Sequence, residues 1–394
     1  MQLIDGIPVW GEADPGALSQ IRTCARFAQR VALMADNHTG YGVPIGGVMG
    51  MVDSVSPTGV GYDIGCGNKA VLTDLPSREA RDRIDTIMDD IWSTVSFGVG
   101  RRNAEPVDHD LFDDDAWQIS ALRPLRDKAA HQLGTVGSGN HYVDVLVDER
   151  DRVWIGVHFG SRGFGHGVAT HYLAAGGAKD GMHVEPLVLS TRSDLGAEYV
   201  QAMELAGRYA YAGRDWVCRR VVELFGARVL DEVHNHHNFA WRERHRLDGD
   251  HVELWVVRKG ATPAFPGQRG FVGGSMGDIS VILEGIEHEQ AAESLFSTVH
   301  GAGRVMSRTK AAGKVNRRTG EVIKPGAIDR EMLGEWLRRE RVVLRGGGLD
   351  EAPQAYRRLP QVLAHHAGTI RILHQLRPIG VAMAGANEFD PYRD

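Results

Sequence analysis

Apolar residues run through this chain in short blocks broken by glycine, and only a few windows repeat at the helical period. The window 23–34 (TCARFAQRVALM) places Cys24, Ala28 and Val31 on one face and predicts a helix. The following GYGVPIGGVMGMVDSVSPTGVGYDIGCGNKAVL reads as short buried strands joined by glycine turns. Residues 77–92 read as a polar helix, and DHDLFDDDAW as an acidic solvated loop. GTVGSGNHYVDVLV is a glycine loop entering a strand, and VWIGVHFGSRGFG a strand entering a second glycine loop. A long helix is predicted over 197–225, where Val217, Val221, Leu224 and Phe225 keep helical spacing. HVELWVVRKG and GDISVILEG read as strands, 294–309 as a glycine-interrupted helix start, and 360–376 as the last helix. No repeat or long Pro/Ser linker divides the chain, and its strands and helices alternate too irregularly for a Rossmann or TIM pattern. The expectation is one large α+β domain over 1–394.

Composition narrows the class. The 394 residues are 42% hydrophobic and 24% charged, as in an ordinary soluble globular protein. A net charge of −6 gives no chain-wide basic footprint for nucleic acid, so any such contact must come from a local patch. RTKAAGKVNRRTGEVIKPG, residues 308–326, is the one strongly basic stretch. Three cysteines far apart (Cys24, Cys66, Cys218) do not make a disulfide framework and fit a reducing, cytoplasmic setting. The start MQLIDGIPVWGEADPG has no signal-peptide pattern, and no apolar stretch approaches a membrane span, so no membrane role is expected. The 49 glycines cluster beside His, Asn, Ser and Asp, where they allow close backbone approach to a ligand or simply tight turns.

The candidate chemistry lies in those glycine-flanked stretches. Asp63 and Cys66 share GYDIGCGNK, His141 follows Asn140 in GSGNH, His158 ends a short apolar strand, and His237 sits in VHNHHNFAW. Carboxylate, thiolate and imidazole together suit a divalent transition metal, and a thiolate can bridge two ions. Taken singly, a lone cysteine is more often a small buried hydrophobe than a ligand, and a strand-end histidine more often merely hydrogen-bonded; it is the set of four glycine- or asparagine-flanked stretches that raises the metal reading. In HGAGRVMSR, His300 could serve as a covalent nucleophile or as a helix cap. Arg304 and Arg308, four apart, would share a helical face and hold phosphates. RKGATPA and GGSMG are glycine turns whose N–H groups, with Ser275, could cradle a triphosphate, although the chain has no Walker A sequence.

In order, PIGGV, GVGYDIGCG, GSGNH, H-x-GSRG, HHN, RKGA, GSMG, HGAGRVMSR and DEAPQAY resemble the RtcB family of RNA-splicing ligases, from about residue 34 to 385. The resemblance implies a single domain of mixed sheets flanked by helices, with a two-Mn²⁺ site in a central cleft. Cys66 would bridge the ions, Asp63 and His141 completing one and His158 and His237 the other. His300 would be guanylylated by GTP and pass GMP to an RNA 3′-phosphate. A 5′-hydroxyl end then displaces GMP, and a 2′,3′-cyclic phosphate is first opened. Asn140, Asn238 and Ser275 match contacts to the nucleotide phosphates, with Gly301, Ala302 and Gly303 beside them. Tyr356 matches the aromatic that stacks on guanine, and Arg162 and Arg308 match residues near RNA phosphate. The implied partners are broken or spliced RNA ends, GTP and an accessory activator protein.

Three positions depart from the family pattern. Ala384 stands where a guanine-contacting lysine is usual, Asp144 where a guanine-contacting glutamate is usual, and Gly273 where a proline precedes GSMG. The metal set and nucleophile are intact, so chemistry should persist while base preference shifts. Lys259 is too far along the chain to be assumed a substitute. The competing readings are a nucleotidyltransferase with another nucleotide or acceptor, a non-catalytic RNA end-binding protein, and a metal-dependent phosphoesterase.

Overall fold

The computed structural model describes residues 1–394 except 180, 316–318, 320–321 and 386–394. It is of the α+β class, as expected, and rests on two large mixed sheets. The six-stranded sheet runs in the order Gln2–Ile4, Ile7–Val9, Arg30–His38, Ile45–Met51, Asp250–Lys259, Asn238–Leu247. The eight-stranded sheet runs Val229–His236, Gly67–Pro76, Arg152–Phe159, Tyr142–Asp148, Ile370–Gly385, Ser280–Gly285, Arg269–Val272, and Val343–Gly347 lies parallel to Ile370–Gly385. The long helix Asp194–Leu224 buries Val217, Cys218, Val221 and Val222 with Val71, Val143, Ile155 and Val157 of the eight-stranded sheet. Its first half carries Tyr199, Met203, Ala206 and Tyr209 into a second core.

Several expected elements differ. The helix expected over 23–34 is instead Pro15–Cys24, with Pro15 in its first turn and the Asp14 carboxylate accepting from the Ala17 N–H. The apolar run that follows is the strand Arg30–His38, buried along nearly its whole length, which is why its run imitated a helical face. Residues 77–92 form two helices, Ser77–Asp82 and Ile84–Thr94. The acidic segment is not a plain solvated loop. It makes two 3-10 turns that bury Leu111, Phe112 and Trp117. The glycine loop after His158 becomes the helix Arg162–Ala175. Residues 294–309 hold the strand Ser297–Val299 and a turn, with a helix only from Arg308 to Ala312. Arg304 therefore lies outside that helix and shares no helical face with Arg308. The expected last helix is Leu359–Ala364 followed by the strand Ile370–Gly385, whose central place in the sheet overrides local propensity. Of the basic stretch, Gly313–Val315 pairs with Val322–Pro325, and residues 316–318 and 320–321 lie outside the described residues. Among the described residues no helix is long and apolar enough to cross a membrane.

The strand order positions the chemistry. Gly67 is paired with both His236 and Phe159, and Tyr142 is paired with His158. Cys66, His141 and His158 therefore sit at one end of adjacent strands. His237 is the link between Val229–His236 of one sheet and Asn238–Leu247 of the other.

Candidate active site

Five side chains expected as metal ligands converge here. His141 Nε2 lies 3.1 Å from Asp63 Oδ2 and 3.7 Å from Cys66 Sγ. His158 Nε2 lies 3.3 Å from Cys66 Sγ and 3.3 Å from His237 Nε2. The donor atoms fall into two triplets, Asp63–Cys66–His141 and Cys66–His158–His237, each within 4.8 Å, and Cys66 is common to both. His158 is oriented from behind, its Nδ1 donating to the Asn140 carbonyl at 2.9 Å, which leaves Nε2 with its lone pair toward the cluster. Burial, helped by the charge of His141, pushes His158 down to about 3, and burial likewise holds His237 well below the usual imidazole range. Both rings are therefore neutral ligands at neutral pH. Burial would raise Asp63, but the hydrogen bond and charge of His141 bring it down to about 2. Burial, with the Asp63 charge, pushes the Cys66 thiol well up. Two neutral imidazoles, a histidine–carboxylate pair and a thiol crowded together suit cations, which would replace the protons on His141 and Cys66, so the residues present fit a divalent-metal centre.

His300 faces the same cavity, its ring 5.0 Å from that of His237. It is held by Asp36, a residue with no exposed surface that the sequence did not single out. Asp36 Oδ2 lies 2.6 Å from His300 Nδ1 and accepts the backbone N–H groups of His300 at 2.9 Å and Gly301 at 3.2 Å. Burial would raise the Asp36 carboxyl, but the charge and hydrogen bonds of His300 and the Gly301 N–H hold it below its usual value. With Nδ1 committed to Asp36, Nε2 is the free nitrogen. Gly260, at φ +62°, gives the ring its place, since a Cβ there would lie 3.1 Å from His300 Cε1. Gly303, at φ +75°, lies where a Cβ would collide with the Asp36 carbonyl.

The cavity encloses roughly 310 Å³, about the lower size of a small-molecule site. Asn140, Asn238, Ser275, Gly301, Ala302, Gly303, Arg308 and Tyr356 all line it. Asn238 Oδ1 also accepts the Gly260 N–H at 2.7 Å. Tyr356 is fixed by a buried network. Its hydroxyl bonds Glu351, Arg304 Nη1 donates to it at 2.7 Å, and the Arg304 guanidinium sits 4.8 Å over its ring. Arg304 and Arg308 reach Glu351 at 3.1 and 3.2 Å, so they share a carboxylate rather than a helical face. Arg162 does not line the cavity. Its Nε lies 3.3 Å from Thr135 Oγ1, beside Gly137 of the GSGNH loop, where a Cβ would strike Arg162.

Away from the metal ligands the wall is apolar, made by Tyr142, Met276, Val381 and Met383, with Asp144 among them. Burial keeps Asp144 protonated well above the usual carboxylate range. Ala384 is not on this wall. It packs into the core on the opposite face of its strand, and Met383 takes the cavity side. Lys259 is no substitute for a base-contacting lysine, because it donates to the Tyr41 carbonyl at 2.8 Å and the Thr58 carbonyl at 3.1 Å.

Fold and site together define an α+β protein with a buried cluster of candidate metal ligands and a carboxylate-held histidine on one cavity. A family model described as tRNA-splicing ligase RtcB matches residues 17–122 and 115–384. A tRNA-splicing ligase RtcB of Thermococcus kodakarensis is 32% identical over 429 residues, covering 89% of this chain and 86% of that protein. The corresponding protein of Archaeoglobus fulgidus is 33% identical over 430 residues, with the same coverage of 89% and 86%. The RNA-splicing ligase RtcB of Escherichia coli K12 is 29% identical over 408 residues, covering 95% and 94%. The chain belongs to the RtcB family, and it is an RNA ligase.

Proposed function

We propose that the protein joins RNA 3′-phosphate or 2′,3′-cyclic phosphate ends to 5′-hydroxyl ends, using GTP and two Mn²⁺ ions, through a guanylylated His300. The observation that carries this reading is the commitment of His300 Nδ1 to buried Asp36 while Nε2 remains free beside the metal-ligand cluster. Asp63, Cys66 and His141 would hold one ion, and Cys66, His158 and His237 the other. When bound, the ions would neutralise the triphosphate and the departing pyrophosphate.

His300 Nε2 attacks the α-phosphorus of GTP. A P–N bond forms, the bond to pyrophosphate breaks, and the positive charge arriving on the ring is met by Asp36. An RNA 3′-phosphate oxygen then displaces the histidine to give RNA capped by a 3′-guanylyl pyrophosphate. The 5′-hydroxyl attacks the RNA phosphorus, GMP leaves, and a cyclic phosphate is opened by hydrolysis first. Asn140, Asn238 and Ser275 orient the nucleotide phosphates, Tyr356 stacks on the base, and RNA phosphate is met by Arg308 on the cavity wall and by Arg162 outside it, beside Gly137. The two sheets contribute jointly to one site, which supports reading 1–394 as one functional domain. Three unpaired buried cysteines support a reducing, cytoplasmic location.

Incubation with GTP labelled at the α-phosphate tests the mechanism. The label should attach covalently, survive alkali and be lost in acid, as a phosphorus–nitrogen bond requires. His300→Ala should abolish labelling and joining of 3′-phosphate ends, yet still join RNA already carrying the guanylyl cap. Label that persists in this variant, or maps to a lysine, would overturn the assignment. Asp144 and Met383 on the apolar wall favour a second outcome in the same assay, in which ATP or dGTP labels His300 comparably.

A further inference from the structure

Behind the metal-ligand cluster, on the side away from the cavity, lies Arg214. It belongs to the helix Asp194–Leu224 and has no exposed surface. Its Nη1 donates to the Gly65 carbonyl at 2.8 Å and to the Phe159 carbonyl at 2.6 Å. Its Nη2 lies 2.9 Å from His236 Nδ1, and its Nε donates to His234 Nε2 at 2.8 Å. Among the described residues no carboxylate lies within ion-pair reach of it.

The chain positions of these partners carry the point. Gly65 precedes Cys66, Phe159 follows His158, and His236 precedes His237. One rigid guanidinium fork thus holds the backbone or side chain next to three of the five candidate ligands, the three that form one triplet. The packing is tight on this side. A Cβ at Gly65 would lie 3.0 Å from Ala210 Cβ and 3.3 Å from His236 Cε1, so the loop cannot shift toward the helix. The far end of the network is anchored as well, with His234 Nδ1 3.4 Å from Asp215.

A fully buried cation without a carboxylate is costly unless some other negative charge offsets it. Here that cost is met by acceptors instead: four hydrogen bonds, two of them to the backbone carbonyls beside Cys66 and His158, satisfy the guanidinium. We propose that Arg214 is a positioning residue of the metal centre, fixing the spacing of Cys66, His158 and His237. This rests on the two-metal reading given above.

Lysine would keep the charge but not the fork, and methionine would remove both. Co²⁺ titration of the metal-free full-length protein, followed by visible absorption, reads geometry and thiolate ligation directly. Arg214→Lys should bind Co²⁺ about tenfold more weakly and Arg214→Met up to a hundredfold, the usual range for loss of an outer partner of a metal ligand. At saturating Co²⁺ both should show a shifted ligand-field spectrum, and Arg214→Met a weakened sulfur-to-cobalt band. A purely structural role would lower the melting temperature of the metal-free protein and leave the saturated spectrum unchanged, which would overturn the proposal. So would wild-type affinity in both variants. If the wild-type protein itself binds no Co²⁺ or Mn²⁺, the two-metal reading fails instead, and Cys66→Ala separates the cases by removing the sulfur band outright. Should Arg214→Met not fold, Arg214→Lys alone decides.

Discussion

Replacing Asp36 with asparagine should separate the first chemical step from the last. The Asp36 Oδ2 atom receives two backbone N–H groups at 2.9 and 3.2 Å and faces His300 Nδ1 at 2.6 Å, all without solvent. An amide of the same shape keeps one acceptor but no charge. Hydrogen bonds to a charged group contribute about 1.5–3 kcal/mol, against about 0.5–1.5 for neutral ones, so each contact loses roughly 1 kcal/mol. The contact to Nδ1 loses more, because attack on phosphorus places positive charge on the ring. If the amide nitrogen turns toward Nδ1, the ring proton is forced onto Nε2 and the nucleophile is blocked. Together these give about 3 kcal/mol in the barrier, a slowing on the order of a hundredfold. Single-turnover labelling with α-labelled GTP measures it, and joining of RNA already capped with guanylyl pyrophosphate provides the internal control. Asp36→Asn should slow labelling by that amount and leave the control reaction unchanged. Labelling at the wild-type rate, or equal slowing of both reactions, would refute the argument that Asp36 holds and polarises the nucleophile.

Other substitutions test neighbouring features. Gly260→Ala should slow labelling without losing metal, because its Cβ would press on the His300 ring at 3.1 Å and the backbone there has φ +62°; unchanged labelling in the variant would sink this. Met383→Lys should change the ratio of labelling by GTP and ATP while Ala384→Lys should not, since only residue 383 is on the cavity wall; the reverse pattern would show that the strand end is read wrongly. Burial lowers His366 to about 3, below the value near 6.5 of an unfolded chain. The unfolded chain therefore takes the proton first, so stability is fully present above about 6.5 and is lost as pH falls toward 3, by about 1.4 kcal/mol per pH unit. Melting temperatures of metal-free protein between pH 7 and 4.5 should fall less steeply in His366→Gln, and parallel slopes would contradict it.

The candidate chemistry was more legible in the sequence than the elements that carry it. The candidate metal ligands and the proposed nucleophile stand beside glycines because the backbone must pass close to them. A Cβ at Gly160 would collide with Asp63, and one at Gly260 would press on His300. Those approaches leave a mark in composition that needs no knowledge of the fold. Element boundaries failed where burial replaced periodicity. Residues 30–38 form an interior strand whose apolar run carries no alternation, so a helix fitted it as well, and 370–376, read as the end of a helix, is the largely exposed first half of a long strand whose place is set by pairing on both sides. Asp36 and Arg214 escaped notice for a different reason. Each is a single charged residue inside an ordinary element, and its importance comes from partners far along the chain, His300 for one and Gly65 for the other.

The departures from the family pattern are not independent once the wall of the cavity is known. The Tyr142 hydroxyl occupies the space that any Cβ at residue 273 would fill, so a proline there is incompatible with this phenol. Gly273 is thus the counterpart of Tyr142 rather than a separate loss. Tyr142 and Asp144 alternate on one strand, share its cavity-facing side and are both buried with an unpartnered oxygen, the Tyr142 hydroxyl and Asp144 Oδ1. The third departure moves as well, since Met383 and not Ala384 meets the cavity. Two of the three changes, Gly273 and Asp144, therefore lie on the cavity wall, and at the third it is the neighbouring Met383 that meets the cavity, while the candidate metal ligands and His300 keep the residue types of the family pattern. On the proposed mechanism a change confined to that wall can alter which base is held without altering how phosphorus is attacked, because His300, the candidate metal ligands and the phosphate-orienting Asn140, Asn238 and Ser275 are all unchanged by it.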